Sequence, residues 1–222
     1  MIPCMIGKFK IEVVLSTFFT FAIVIIAPMI LVHISNETVK MIIRPLAYVL
    51  LLGIPFILCK VMKNPIGTLG FKKEKLVKQV FIGVGVFVML DLIITIAVLA
   101  LGDNKGILLP AKENRIGIII YSVVFDMVCA GMGEETLFRG YFMERFRTLT
   151  NSGIGAVVIP ALMFGIWHFP NSQDFLQVIL TALIGLLFGL VRLKIKNAST
   201  LSVGISHGLH DVYILILSCA LS

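Results

Sequence analysis

The chain has 222 residues, of which 59% are hydrophobic and only 14% charged, with a mean hydropathy of +1.05. A soluble domain carries about 25% charged residues, so composition excludes a soluble globular protein and points to lipid as the solvent. The net charge of +7 would suggest nucleic acid in a soluble protein. Here it reads as loop charge that fixes orientation and meets anionic headgroups, and nucleic acid is not an expected partner.

A membrane-spanning helix needs about 20 predominantly apolar residues. The first such run covers residues 11–32 and is too long for a cleaved leader, so it reads as a retained anchor. A second, 45–61, contains Gly53 and Pro55. The polar, basic stretch 62–79 follows, and within it FKKEKLVKQV has the composition of a short amphipathic helix lying on the headgroups. The third run is 80–101. A polar link precedes the fourth, 116–138, which can continue into RGYFMERFR. TLTNSG breaks the pattern before 154–168, PNSQD before 175–193, and RLKIKNAST before 201–221.

The expectation is an all-α, polytopic transmembrane helix bundle of about seven spans, or eight helices if a re-entrant segment lies in 62–79, with the active site buried between helices. Residues 1–222 form a single integral membrane domain in this reading, with variable amino-terminal spans in 1–101. Alternate ends of the seven spans hold thirteen lysines and arginines against five on the other side, with Arg139 set apart. Positive charge concentrates in the cytoplasm, which puts the amino terminus inside and the carboxyl terminus outside, in a multi-pass cell-membrane protein. Cys4, Cys59, Cys129 and Cys219 are scattered, without metal or redox spacing, and read as small apolar side chains.

Ionisable residues within spans are costly and default to a functional hypothesis. They concentrate in three places: Glu134, Glu135 and Arg139 in GMGEETLFRG; His168 in FGIWHF; and His207, His210 and Asp211 in ISHGLHD. An α-helix brings residues four apart onto one face. Glu135 can thus meet Arg139, Glu134 is left to point elsewhere, Phe164 shares a face with His168, and His207 shares one with Asp211. The inventory of a base, two imidazoles and polar partners suits peptide hydrolysis by an activated water. His33 fits a headgroup anchor. Asp91 and Asp126 stand alone in their spans and stay unassigned, as helix-packing polar groups or partners of a histidine or arginine.

EETLFR, FGIWH and HGLHD, in that order, resemble the EExxxR, FxxxH and HxxxN/D motifs of the CAAX prenyl endopeptidase and bacteriocin-processing family, also called the Abi family of intramembrane proteases. The resemblance covers residues 116–212, which would form the protease core. It implies an intramembrane endopeptidase in which Glu134 and His168 activate water, His207 and Asp211 stabilise the oxyanion, and Glu135 and Arg139 organise the site. Asp211 stands where some members carry Asn. A carboxylate donates no hydrogen bond unless protonated, so Asp211 is assigned to orienting His207 or to binding metal. His210 lies outside the pattern and reads as packing around the site. Glu134, His168 and His207 match a three-ligand set for one divalent metal such as zinc, and the same groups serve a metal-free glutamate mechanism.

The resemblance implies a peptide or membrane-protein substrate, with a bacteriocin precursor or a role in self-immunity as the leading guess. Transport by proton relay is the alternative from another class, set back by the absence of an inverted repeat. A catalytically inactive scaffold or immunity protein is the third. On the protease reading, Glu134, His168 and His207 are expected to converge on one polar pocket in the cytoplasmic half of the membrane.

Overall fold

The computed structural model describes residues 2–101 and 115–221; the polar link read between the third and fourth spans falls mostly on 102–114, outside the described residues. Among the described residues every regular element is helical. We number the helices α1 (Ile2–Leu31), α2 (Glu37–Met62), α3 (Leu76–Leu101), α4 (Ile116–Thr150), α5 (Gly153–Ser172), α6 (Phe175–Lys194) and α7 (Thr200–Leu221). All seven are long and apolar enough to cross a bilayer, and large side chains such as Phe18, Phe81 and Phe175 lie exposed along them. Lipid tolerates that exposure, and the helix satisfies its own backbone there.

The helices extend past the apolar runs. α2 starts at Glu37 rather than at residue 45, because the Asn36 side chain accepts from the Val39 N–H as an N-cap and Glu37 sits in the first turn. Pro45 and Pro55 lie inside it. The surface helix expected in FKKEKLVKQV is absent. Residues 71–75 are non-helical, Lys75 has φ of 55°, and Leu76 onwards joins α3. Hydrogen bonding holds this segment. The buried Gln79 side chain donates to the carbonyls of Lys72 (3.0 Å) and Glu74 (2.6 Å) and accepts from Ser199 Oγ, while Lys72 Nζ donates to the Ala198 carbonyl at 2.7 Å.

The chain divides into two compact units, Met1–Gly70 with Thr136–Leu190 and Phe71–Glu135 with Val191–Ser222, as far as these residues are described. In the first unit α5 and α6 run antiparallel on small residues: a Cβ on Gly165 would lie 2.5 Å from the Val178 carbonyl, and one on Gly189 2.7 Å from Val157. Its core gathers Val24, Leu51, Leu137, Phe138, Phe142, Met163, Phe164 and Trp167.

Within that unit lies a buried polar cluster. Glu12, wholly buried, accepts from Arg145 Nε (2.8 Å), Tyr141 Oη (2.7 Å), Cys59 Sγ (3.2 Å) and Asn64. Arg145 Nη2 also donates to Cys59 Sγ at 3.0 Å and to the Pro65 carbonyl at 2.9 Å. Arg145, one of the thirteen charges tallied on alternate ends of the spans, is one half of a buried ion pair in α4.

In the second unit α3 and α7 run side by side in the same direction, with Gln79 against Ser199, Asp91 against His210 and Thr95 against Tyr213. Two odd-numbered spans must run parallel if the chain crosses at every helix. α4 crosses α7 the other way at near backbone contact: a Cβ on Gly131 would stand 2.6 Å from the Gly208 nitrogen and 2.7 Å from the Gly204 carbonyl. Gly204 and Gly208 form a GxxxG pair, the small-residue spacing that lets membrane helices touch. At Gly131 and Gly208 a side chain would run into backbone atoms of the facing helix, whereas at Gly204 it would meet the Met132 thioether.

Candidate active site

The EExxxR segment is not wound as a regular α-helix. Residues Asp126–Glu134 and Thr136–Phe142 form two π-helical stretches, separated by Glu135, whose N–H points back to the carbonyls of Gly131 and Met132. π winding hydrogen-bonds residues five apart and recurs at functional sites. The one-turn spacing assumed for an α-helix at Glu135 and Arg139 therefore does not describe the local backbone.

In the second unit, Glu135 and His207 meet. Glu135 is wholly buried, and its Oε1 lies 2.9 Å from Nδ1 of His207, itself 5% exposed. On the other side of the ring, Nε2 stands 3.4 Å from Oδ2 of Asp211. Both carboxylates only accept, so each contact calls for a ring N–H. A neutral imidazole supplies one, and a proton on both nitrogens requires the imidazolium form. At 3.4 Å the Asp211 contact is longer than a normal hydrogen bond, so Nε2 is the less committed nitrogen. The close crossing of Gly131 with Gly204 and Gly208 brings α4 near enough to α7 for this contact. Glu134, 5% exposed, is buried in the same unit.

A second pair in that unit gives Asp91 a histidine partner, one of the two alternatives open for it from the sequence. Nδ1 of His210 lies 2.7 Å from Oδ1 of Asp91, which joins the unassigned aspartate of α3 to the histidine outside the motif. Asp126 lies in the first π stretch, half-buried.

The first unit holds His168 and Arg139. Nδ1 of His168 lies 2.8 Å from the Phe164 carbonyl oxygen. A carbonyl only accepts, so Nδ1 carries the proton, and in the neutral ring Nε2 presents a lone pair. The Phe164 ring meets the imidazole edge-on, centroids 4.5 Å apart and planes at 72°. On Phe164 also rests the Arg139 guanidinium, 4.4 Å from the ring centroid, with Phe188 and Phe138 at 5.7 and 6.0 Å. Such a box suits a desolvated guanidinium. FxxxH thus has a physical content: the phenylalanine supplies both the carbonyl that sets the tautomer and the ring that sets the imidazole's angle.

Among the described residues no three His, Cys, Asp or Glu side chains come together as a metal-ligating group.

Searches of curated proteins and of solved structures each return no match. Residues 116–213 match the family model described as "Rce1-like: Type II CAAX prenyl endopeptidase Rce1-like". That segment, 98 of the 222 residues, contains all three motifs, and over it the chain is similar to the type II CAAX prenyl endopeptidase Rce1-like family.

Proposed function

We propose that this chain is an intramembrane endopeptidase in which Glu134 activates water for attack on a peptide bond. The observation that carries the proposal is the buried Glu135–His207 contact with the partly exposed Asp211 on the far side of the ring, which falls on two motifs of the matched segment. Hydrocarbon offers ionisable groups no partner, and an assembly of them inside apolar helices is costly unless it has a task.

The Glu134 carboxylate takes a proton from water as the water oxygen adds to the carbonyl carbon, and the carbonyl becomes an oxyanion. Nε2–H of His207, loosely held by Asp211, is the donor we assign to that oxyanion, while Glu135 fixes the ring through Nδ1. Preorganised donors of this kind are among the largest contributions to hydrolysis. Glu134 then passes its proton to the departing amine nitrogen, the C–N bond breaks, and the new carboxyl group leaves. His168, its Nδ1 proton held by the Phe164 carbonyl, accepts from the second hydrogen of the water. Motif correspondence, rather than a distance, assigns His168 to that water. Arg139 keeps the FxxxH face in place through Phe164.

The substrate class is a peptide presented in or at the bilayer, such as a bacteriocin precursor or a prenyl-anchored peptide. The amino terminus is cytoplasmic and the carboxyl terminus outside. Removing Arg145 from the loop charges leaves twelve against five, so the bias persists. A reporter active only outside the cytoplasm should work at the carboxyl terminus and be silent after Lys75; the reverse pair overturns the orientation.

The test of the chemistry is cleavage by purified protein in vesicles of a quenched fluorescent peptide with one transmembrane segment. Glu134→Gln should lower turnover by about 10²–10⁴ while the protein inserts normally. Full turnover in that variant overturns the proposal. A chelator titration run alongside separates the two origins of the activated water. Loss restored by zinc favours metal on Glu134, His168 and His207, and indifference favours the glutamate acting alone.

A further inference from the structure

We propose that Asp91 and His210, neither of them in the three motifs, form a second carboxylate–imidazole pair that positions the motif side chains of α7. The inference rests on the proteolytic reading and adds two positioning residues to it.

Asp91 on α3 is 4% exposed, and its 2.7 Å contact with His210 Nδ1 is shorter than the Glu135–His207 contact of 2.9 Å. Oδ1 only accepts when ionised, so Nδ1 carries the proton and Nε2 presents a lone pair in the neutral ring. Helix adhesion alone does not require this pair. α3 and α7 are already tied by Gln79 to Ser199 and by Tyr213, which donates to Thr95 Oγ1 at 2.7 Å, and Gly83 approaches the Ser202 carbonyl closely. Those ties are neutral and avoid the desolvation that a buried carboxylate entails.

The costlier pair sits at the one place on α7 where its geometry matters to the trio. His210 is three residues after His207, a spacing that makes them neighbours on a helix face, and it directly precedes Asp211. Fixing the His210 ring to α3 fixes the rotation of α7, and with it the direction of Nε2 of His207 and of the Asp211 carboxylate. Oδ2 of Asp91 is buried without a hydrogen-bond partner among the described residues, the state of a carboxylate that has room for one further proton or donor.

The test uses the full chain in lipid nanodiscs, labelled with ¹⁵N-histidine. The chain has four histidines, so ring nitrogens can be assigned by substitution. Asp91→Asn should move the ring resonances of His207 as well as those of His210, with the unfolding midpoint retained. On the quenched transmembrane peptide it should lower kcat by roughly ten- to a hundredfold, the loss typical when an active histidine's orienting environment is removed, with KM within about twofold. Asp91→Glu should recover most of kcat, which a packing role would not permit for a longer side chain. If Asp91→Asn does not fold, His210→Gln carries the same expectations. A His207 signal unchanged by loss of the pair, or kcat unchanged, overturns the inference. A wild-type protein that cleaves nothing sinks the proteolytic reading, and the His207 signal still decides whether the pair positions it.

Discussion

Arg145→Met removes the cation of the Glu12 cluster and leaves a carboxylate with no exposed surface inside unit one. Breaking a buried ion pair from one side costs about 3–5 kcal/mol, because the remaining charge is stranded. Here Glu12 keeps Tyr141 Oη at 2.7 Å, Cys59 Sγ at 3.2 Å and Asn64 as donors. The low end is therefore expected, about 3 kcal/mol, or roughly a hundredfold in the unfolding equilibrium. Adding Glu12→Gln removes the stranded charge but keeps an acceptor for Tyr141. The double variant should therefore be more stable than Arg145→Met alone by about 1 kcal/mol or more. The assay is reversible unfolding in mixed micelles followed by tryptophan fluorescence. The chain has one tryptophan, Trp167, 4% exposed and 5.6 Å from Phe138 in the same unit, so the signal reports on the unit perturbed. An Arg145→Met variant within about 0.5 kcal/mol of wild type, or a double variant whose losses simply add, would show that Glu12 and Arg145 are not coupled.

Gly131→Val places a side chain 2.6 Å from one backbone atom and 2.7 Å from another, neither of which can turn aside. Overpacking of this kind costs about 1–3 kcal/mol, so the thermal midpoint should fall and the Glu135–His207 contact should lengthen, read as a shifted His207 ring resonance; an unchanged midpoint argues against the close crossing. Phe164→Ala removes a ring shared by Arg139 and His168 at about the 3–5 kcal/mol typical of a buried phenylalanine. Because the acceptor on His168 Nδ1 is a backbone carbonyl, that tautomer should persist in ¹⁵N spectra while turnover falls, and a changed tautomer would show that the ring rather than the carbonyl sets it.

The seven spans were legible because each contains an apolar run near the length a bilayer demands, and lipid forgives little else. Their ends were less so. Pro45 looked like the start of α2, whereas the cap is Asn36, nine residues earlier and amid polar residues that a hydropathy scan discards. FKKEKLVKQV has the composition of a surface helix, but Gln79 folds back onto the carbonyls of Lys72 and Glu74 and holds the residues before Leu76 out of a helix. The motif residues were found by spacing, yet the spacing argument assumed α winding through a segment that is π-wound. The tautomer of His168 follows from a local carbonyl and could have been guessed. Glu12 with Arg145, and Asp91 with His210, are separated by more than a hundred residues, and no periodicity in one chain joins them. Charged residues inside apolar runs carry the available signal, Asp91 within the third run and Glu12 at the edge of the first.

The central claim is that Glu134 drives attack by water on a peptide bond, and cleavage carried out in ¹⁸O-enriched water tests it most directly. The wild-type protein should place one ¹⁸O atom in the newly formed carboxyl group of the amino-terminal product. Glu134→Gln, reconstituted to the same level, should yield product slower by about 10²–10⁴. Product lacking ¹⁸O, or ¹⁸O-labelled product formed equally fast by Glu134→Gln, would contradict the account.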